Sequence, residues 1–186
     1  TSTALANTGN LVKISSATAN NDTSIQFTSG IDSTYSIYKF EFLNIHPISD
    51  DVNFSMNLRD GDTNFDAPKT GTGSQHNINE DGTGASLAHT SILNAAQITG
   101  KIAISHSTGN GNDESLSGHF FLYNPSSTTF AKSYFSFTQN YHQANNAQIH
   151  IAQGYANTTS AIDGIKFQFS SGNIDSGTII MYGVKT

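Results

Sequence analysis

Apolar and polar residues alternate without a break over residues 52–59, which read VNFSMNLR. Successive side chains of a β-strand point to opposite faces, so this period of two predicts a strand with one buried face. The positions expected to point inward are Val52, Phe54, Met56 and Leu58.

The stretch before it, residues 35–47, is rich in aromatic and β-branched residues and ends at Pro47. This composition predicts a longer strand closed by a turn. In this strand Glu41 alternates with Lys39 and is expected to point outward. Because the two strands follow each other closely, we expect them to pair as a meander.

Further short strand patterns recur along the chain and are divided by turn residues, a spacing typical of a sandwich or barrel. We therefore predict an all-β fold, an antiparallel, jelly-roll-like β-sandwich of about ten strands, in a single domain over residues 1–186. Its core is expected to include Phe120, Phe135, Phe137, Phe167 and Phe169. The other strand candidates are 11–16, 23–30, 101–107, 115–124, 131–142, 147–156, 164–171 and 178–184.

Residues 61–99 interrupt this pattern. The first part is dense in Asp, Asn, Gly and Thr without a strand or helix period, which predicts a long polar loop. Residues 86–98 are expected to form a short helix ending near Gly100, with a strand as the alternative.

Composition supports β structure and narrows the function. Only 12% of the residues are charged, and Ser, Thr, Asn, Gln and Gly carry the polarity, which suits exposed strand faces and turns. The net charge of −6, without clusters of Lys and Arg, argues against nucleic acid as a partner. The lack of Cys excludes thiol catalysis and thiolate metal sites. No apolar run approaches the roughly 18 residues of a membrane span, so membrane insertion is not expected.

The loop after residue 59 has the spacing of the front half of a calcium loop, with oxygen-bearing side chains at alternate positions. The back half is missing, because the sixth position is Phe65 and the twelfth is Gly71. Hydrogen bonding within a turn explains the same residues, so we assign no metal. The side chains that calcium would use are those of Asp60, Asp62, Asn64 and Asp66.

No catalytic residue or cofactor is predicted. None of the seven histidines stands at a zinc-binding spacing: His46, His76, His89, His106, His119, His142 and His150. A glycosidase would need two positioned carboxylates, but most of the candidates lie in Gly-rich turns. These candidates are Asp60, Asp62, Asp66, Glu80, Asp81, Asp113, Glu114 and Asp163.

Several stretches resemble virion structural proteins of marine tailed bacteriophages. They are "FTSGIDSTYSIYKFEFLNIHP", the turn at residues 60–66, "YNPSSTTFAK" and the tail "GYANTTSAIDGIKFQFSSGNIDSGTIIMYGVK". The resemblance runs from Thr23 to Lys185 and is weakest over residues 66–99. Asp62 stands where these proteins usually have the second Gly of the turn. The resemblance implies a β-sandwich on the exterior of a phage particle.

The expected function is therefore a non-enzymatic virion structural protein, either a tail fibre or tail-tip domain or a capsid decoration protein. Its expected partners are other virion proteins and copies of itself, with a trimer favoured. The alternative is a lectin-like module that binds a host surface glycan through the loops at 60–66, 71–84 or 110–114. The chain begins at Thr1 without Met, which fits a processed terminus or a fragment of a longer chain.

Overall fold

A computed structural model describes residues 10–185; Thr1 lies outside them. The regular structure of the described chain consists of antiparallel β-strands and one 3-10 turn, and this part of the chain contains no helix long and apolar enough to cross a membrane. The strands are β1 (Leu11–Thr18), β2 (Ile25–Phe27), β3 (Ile37–Pro47), β4 (Phe54–Arg59), β5 (Lys69–Asn79), β6 (Ser86–His89), β7 (Ala95–Ile98), β8 (Ile102–Ala103), β9 (Leu116–Tyr123), β10 (Lys132–His142), β11 (Asn146–Ala156), β12 (Gly164–Phe169) and β13 (Ile174–Val184).

The strands form two sheets. The large sheet has the order β1-β13-β3-β9-β10-β11-β5-β6, with β7 also paired to β5, and the small sheet has the order β2-β12-β4-β8. Aromatic side chains from both sheets meet between them, so the two sheets form a sandwich. The predicted all-β antiparallel sandwich is confirmed.

The core lies where the small sheet covers β3 and β9. The ring of Phe167 packs 5.5 Å from Phe40, 5.1 Å from Phe42 and 5.9 Å from Phe54, measured between ring centroids. Aromatic pairs at these separations stabilise a core beyond the area they bury. The predicted inward residues of β4 and the bridge before it, Val52, Phe54, Met56 and Leu58, are all buried. Ser55 and Asn57 are buried as well, so the prediction of a strand with only one buried face is wrong.

The small sheet is too narrow to cover β10, β11 and β5. Residues 104–114, which we call the covering segment, lie over the inner face of these strands instead. Because this segment is not part of a sheet ladder, its carbonyl groups need other donors. Thr138 Oγ1 donates to the carbonyl of Ile104 at 2.9 Å, and Asn140 Nδ2 donates to that of His106 at 3.1 Å. The inner face of β10 is polar for this reason.

The prediction of a long polar loop over residues 61–99 is wrong, and residues 86–98 contain strands, the alternative to the predicted helix. Residues 69–79 form β5, which pairs with β11 along its full length. Residues 86–98 form β6, a 3-10 turn at Ser91–Leu93 and β7. Thr, Asn and Gly obscure the strand pattern of β5, but pairing with two neighbours satisfies its backbone groups and overrides this weak propensity.

Two further expectations are wrong. The strands β3 and β4 do not pair as a meander: β3 pairs with β13 and β9 in the large sheet, while β4 pairs with β12 and β8 in the small one. Phe135 and Phe137 do not fill the core, because the inward positions of β10 are taken by Tyr134, Ser136, Thr138 and Asn140. The other predicted core rings, Phe120, Phe167 and Phe169, are buried as expected.

The strand candidate at residues 178–184 is part of β13. In β13, which lies between β1 and β3, Ile179 and Met181 are fully buried. The Asp-Ser-Gly sequence at 175–177, which reads as a turn, is a bulged part of this strand. A Cβ on Gly177 would lie 2.5 Å from the carbonyl oxygen of Asn44, so this close approach requires glycine.

Candidate functional site

The outer face of the large sheet carries two rows of side chains that cross six strands in register. We call these two rows the aromatic band. Strand alternation turns them away from the core, and no second layer covers them within residues 10–185. The first row is Tyr182, Lys39, Phe121, Phe135, Gln153 and Thr72. The second row is Ile180, Glu41, His119, Phe137, Ile151 and Ser74.

The rings at the centre of the band stack on one another. The imidazole of His119 lies 5.8 Å from the ring of Phe137 at an interplanar angle of 20°. Phe121 also stacks on Tyr123, which lies one row beyond the band on β9; their ring centroids are 6.2 Å apart at an interplanar angle of 21°. Rings in this arrangement turn their faces toward each other and their edges toward solvent, an arrangement suited to packing against another protein surface.

The charges within the band are balanced. Glu41, predicted to point outward, does so and forms an ion pair with Lys39. The ammonium of Lys39 also lies 5.9 Å from the centroid of Phe121, within reach of a cation–π contact. Partial burial, and then the nearby Lys39, lower the pKa of His119, which favours its neutral form. The band is therefore nearly neutral, and its apolar centre, formed by Phe121, Phe135, Phe137 and Ile151, is flanked by polar side chains.

A shallow groove of about 430 Å³ lies where the band reaches β5, β10 and β11. Its floor includes the adjacent glycines Gly71 and Gly154, and its wall includes Tyr155, whose side chain is 38% exposed. The lining combines hydroxyl and amide groups with one accessible aromatic ring. The remaining lining residues are Thr70, Thr72, Ser133, Tyr134 and Gln153.

The calcium-like loop is an exposed turn. Asp62 Oδ1 accepts a hydrogen bond from the backbone amide of Asn64 at 2.6 Å, and Asp62 Oδ2 accepts one from the Asn64 side chain at 3.3 Å. These are the bonds of an Asx turn. Phe65 points between two cations, 5.9 Å from the Arg59 guanidinium and 5.1 Å from the Lys166 ammonium. Across residues 10–185, no group of three His, Asp or Glu side chains is placed to hold a metal ion.

Four histidines that are distant in sequence gather at one end of the large sheet. His150 is fully buried on the inner face of β11, and neither ring nitrogen has a hydrogen-bond partner among the described residues. Burial, reinforced by His106, His142 and His76, lowers the pKa of His150 to about 3. The imidazole is therefore neutral at physiological pH. Nearby Asn140, Asn146 and Gln148 each also leave a buried oxygen unpaired.

Some of the candidate carboxylates also come together. Glu80 and Asp113 line one groove with Tyr141, whose hydroxyl donates to Glu80 Oε1 at 2.6 Å. This hydrogen bond raises the pKa of Tyr141 to about 12, so the tyrosine stays protonated. Both acids are solvent-exposed. An adjoining polar groove places His46 Nδ1 3.3 Å from Asp175 Oδ2.

The other two segments expected to be sugar-binding loops have different structures from the expected ones. Most of 71–84 is β5, and 110–114 is the end of the covering segment. There Glu114 Oε2 accepts a hydrogen bond from the amide of Gly111 at 2.6 Å and is buried. Neither segment presents an aromatic row beside a polar loop.

The aromatic band was not predicted from the sequence, because both faces of β10 contain aromatic residues. The inward phase holds Tyr134 and the outward phase holds Phe135 and Phe137, so hydrophobicity alone favours the wrong face. The usable signal is the run of Ser136, Thr138 and Asn140 in the other phase, which marks a face that must hydrogen-bond to irregular backbone.

No protein-family model and no curated protein matches this chain. A solved structure from Bacteroides ovatus, a structural genomics protein of unknown function, is similar at 8% identity with a TM-score of 0.30. The similarity covers 56% of this chain and 45% of that one, so the chain matches less than half of its length. At this level the similarity carries no argument about fold or function.

Proposed function

We propose that this chain is a non-enzymatic structural protein on the exterior of a tailed-phage virion, a tail fibre or tail-tip component or a capsid decoration protein. The observation that carries the proposal is the aromatic band, which gives a rigid sandwich a wide, nearly neutral surface for assembly. Contiguous apolar patches of this kind mark interaction sites on soluble proteins. The resemblance to phage virion proteins is the reason for proposing a virion as the assembly.

Imaging of virions tests this function directly. Purified particles labelled with antibody against the chain, and particles imaged by cryo-electron microscopy, are expected to show it at regular positions on the head or the tail. Mass spectrometry of the same particles is expected to detect it at many copies per virion. Its absence from gradient-purified particles would contradict the proposal.

A glycan-binding module is the second candidate, and the groove beside Tyr155 favours it. The exposed ring and the surrounding hydroxyl and amide groups suit sugar recognition by stacking and hydrogen bonding. A glycan array probed with the wild type and Tyr155→Ala tests this candidate. Specific binding that is lost in the variant would support it.

A further inference from the structure

We propose that the aromatic band is a self-association surface, covered in solution by the same band of a second copy of this chain. This inference deepens the proposed function and takes its biological setting from it. The association itself is a property of the isolated chain, so it is tested separately.

The size of the outer face fits a stable interface. The sheet has eight strands in continuous order from β1 to β6, and exposed leucines stand at both margins, Leu11 at 40% and Leu87 at 67% exposure. Seven strand spacings make the whole outer face roughly 34 Å wide, and four rows of side chains extend about 20 Å along the strands. This face, with the aromatic band at its centre, has a footprint of the order of 700 Å². A standard protein–protein interface buries roughly 800 Å² on each partner.

The charge distribution favours a second copy as the occupant. The chain has a net charge of −6, so two copies repel each other unless they meet on a face that avoids the carboxylates. Within the band the only carboxylate is Glu41, and it is already paired with Lys39. A surface whose few charges cancel internally can face itself without leaving an unpaired charge buried.

The shape of the surface fits the same partner. Two twisted sheets pack face to face about 10 Å apart when side chains on both faces interdigitate, as the inner face of this sheet does with the small sheet. The edge-on rings of Phe121, Phe137 and His119 offer ridges for such packing. A second copy would supply the layer that the outer face lacks.

Sedimentation velocity of the full chain over a concentration series tests the inference. The wild type is expected to associate reversibly, and Phe137→Glu at the centre of the band is expected to weaken association at least about tenfold by burying a charge. Gln153→Glu is the milder variant: this side chain is exposed, so the fold is retained while a charge enters the band. Phe130→Glu is the matched control, because Phe130 is 71% exposed in the loop between β9 and β10.

The inference is supported if both band variants weaken association and Phe130→Glu does not, with circular dichroism and thermal melting unchanged for Gln153→Glu. It is overturned if the wild type stays monomeric up to a protein concentration of about 1 mM, which is well above the dissociation constants of specific complexes. It is also overturned if folded Gln153→Glu and Phe137→Glu associate like the wild type. Binding of an arrayed glycan by a monomer, lost in Tyr155→Ala, would assign the face to sugar instead. None of these outcomes depends on where the chain lies in a virion.

Discussion

At the scale of single residues, Phe167 is the centre of the core. Its ring contacts rings from three strands of the two sheets, and it is fully buried at the point where the sheets meet. By contrast, Phe130 is 71% exposed in a loop. The two residues are of the same type, so their different burial comes from their positions in the fold.

We therefore expect Phe167→Ala to lower the free energy of unfolding by about 3–5 kcal/mol, since it removes a buried ring and leaves a cavity. Phe130→Ala is expected to change it by less than about 0.5 kcal/mol. Urea denaturation of both variants measures the difference. Equal effects would mean that the core is not centred where the structure places it.

Close approach of strands depends on particular glycines. A Cβ on Gly154 would lie 2.2 Å from the carbonyl oxygen of Thr70 and 2.5 Å from the Tyr134 hydroxyl. At Gly100 no heavy atom lies within 4 Å of the same position. Gly154→Ala is therefore expected to cost about 2 kcal/mol or more, because backbone must move. Gly100→Ala is expected to stay within about 1 kcal/mol of the wild type in the same denaturation assay.

At the scale of elements, the inner face of β10 and β11 is the least ordinary part of the fold. Instead of a second sheet it meets the covering segment, and its side chains hydrogen-bond to the carbonyl groups of that segment. Consecutive strands β3 and β4 lie in different sheets. His150 is buried in this polar layer without a partner for either nitrogen.

This burial predicts a pH dependence. The pKa of His150 is about 3 in the folded chain and near 6.5 when unfolded, so between these values the unfolded state binds more protons. The contribution of His150 to the free energy of unfolding is fully present above about pH 6.5. As the pH falls toward 3, this contribution decreases by up to about 1.4 kcal/mol per pH unit. His76, His106 and His142 lie near His150, and their positive charges oppose its protonation. Asp51 lies near His106.

His150→Gln removes the titrating group while keeping a polar side chain. Unfolding free energies measured from pH 7 to pH 4 are expected to fall less steeply for this variant than for the wild type. His89→Gln, at an exposed position, serves as the control and should follow the wild-type slope. Parallel slopes for His150→Gln and the wild type would show that His150 is not buried as a neutral group.

At the scale of the whole molecule, the net charge of −6 and the nearly neutral aromatic band act in opposite directions on self-association. Added salt screens repulsion between two acidic chains, and it does not weaken apolar contacts. If two copies meet on the band, raising the salt from about 0.05 M to about 0.5 M is expected to strengthen association a few-fold. Sedimentation at several salt concentrations measures this; weakening by salt would indicate an interface held by opposite charges.

The sequence by itself determined the all-β class, most strand positions and the inward face of residues 52–58, because local alternation reports burial wherever one phase is wholly apolar. It also predicted that Glu41 points outward and that residues 178–184 form a strand. The tertiary structure alone decided which face of β10 is buried, that residues 69–79 form a strand inside the large sheet, and that β3 and β4 belong to different sheets. These features depend on partners far away in the chain, since a strand with polar or aromatic residues in both phases takes its orientation from the layer that covers it. The aromatic band is visible only after that orientation is known.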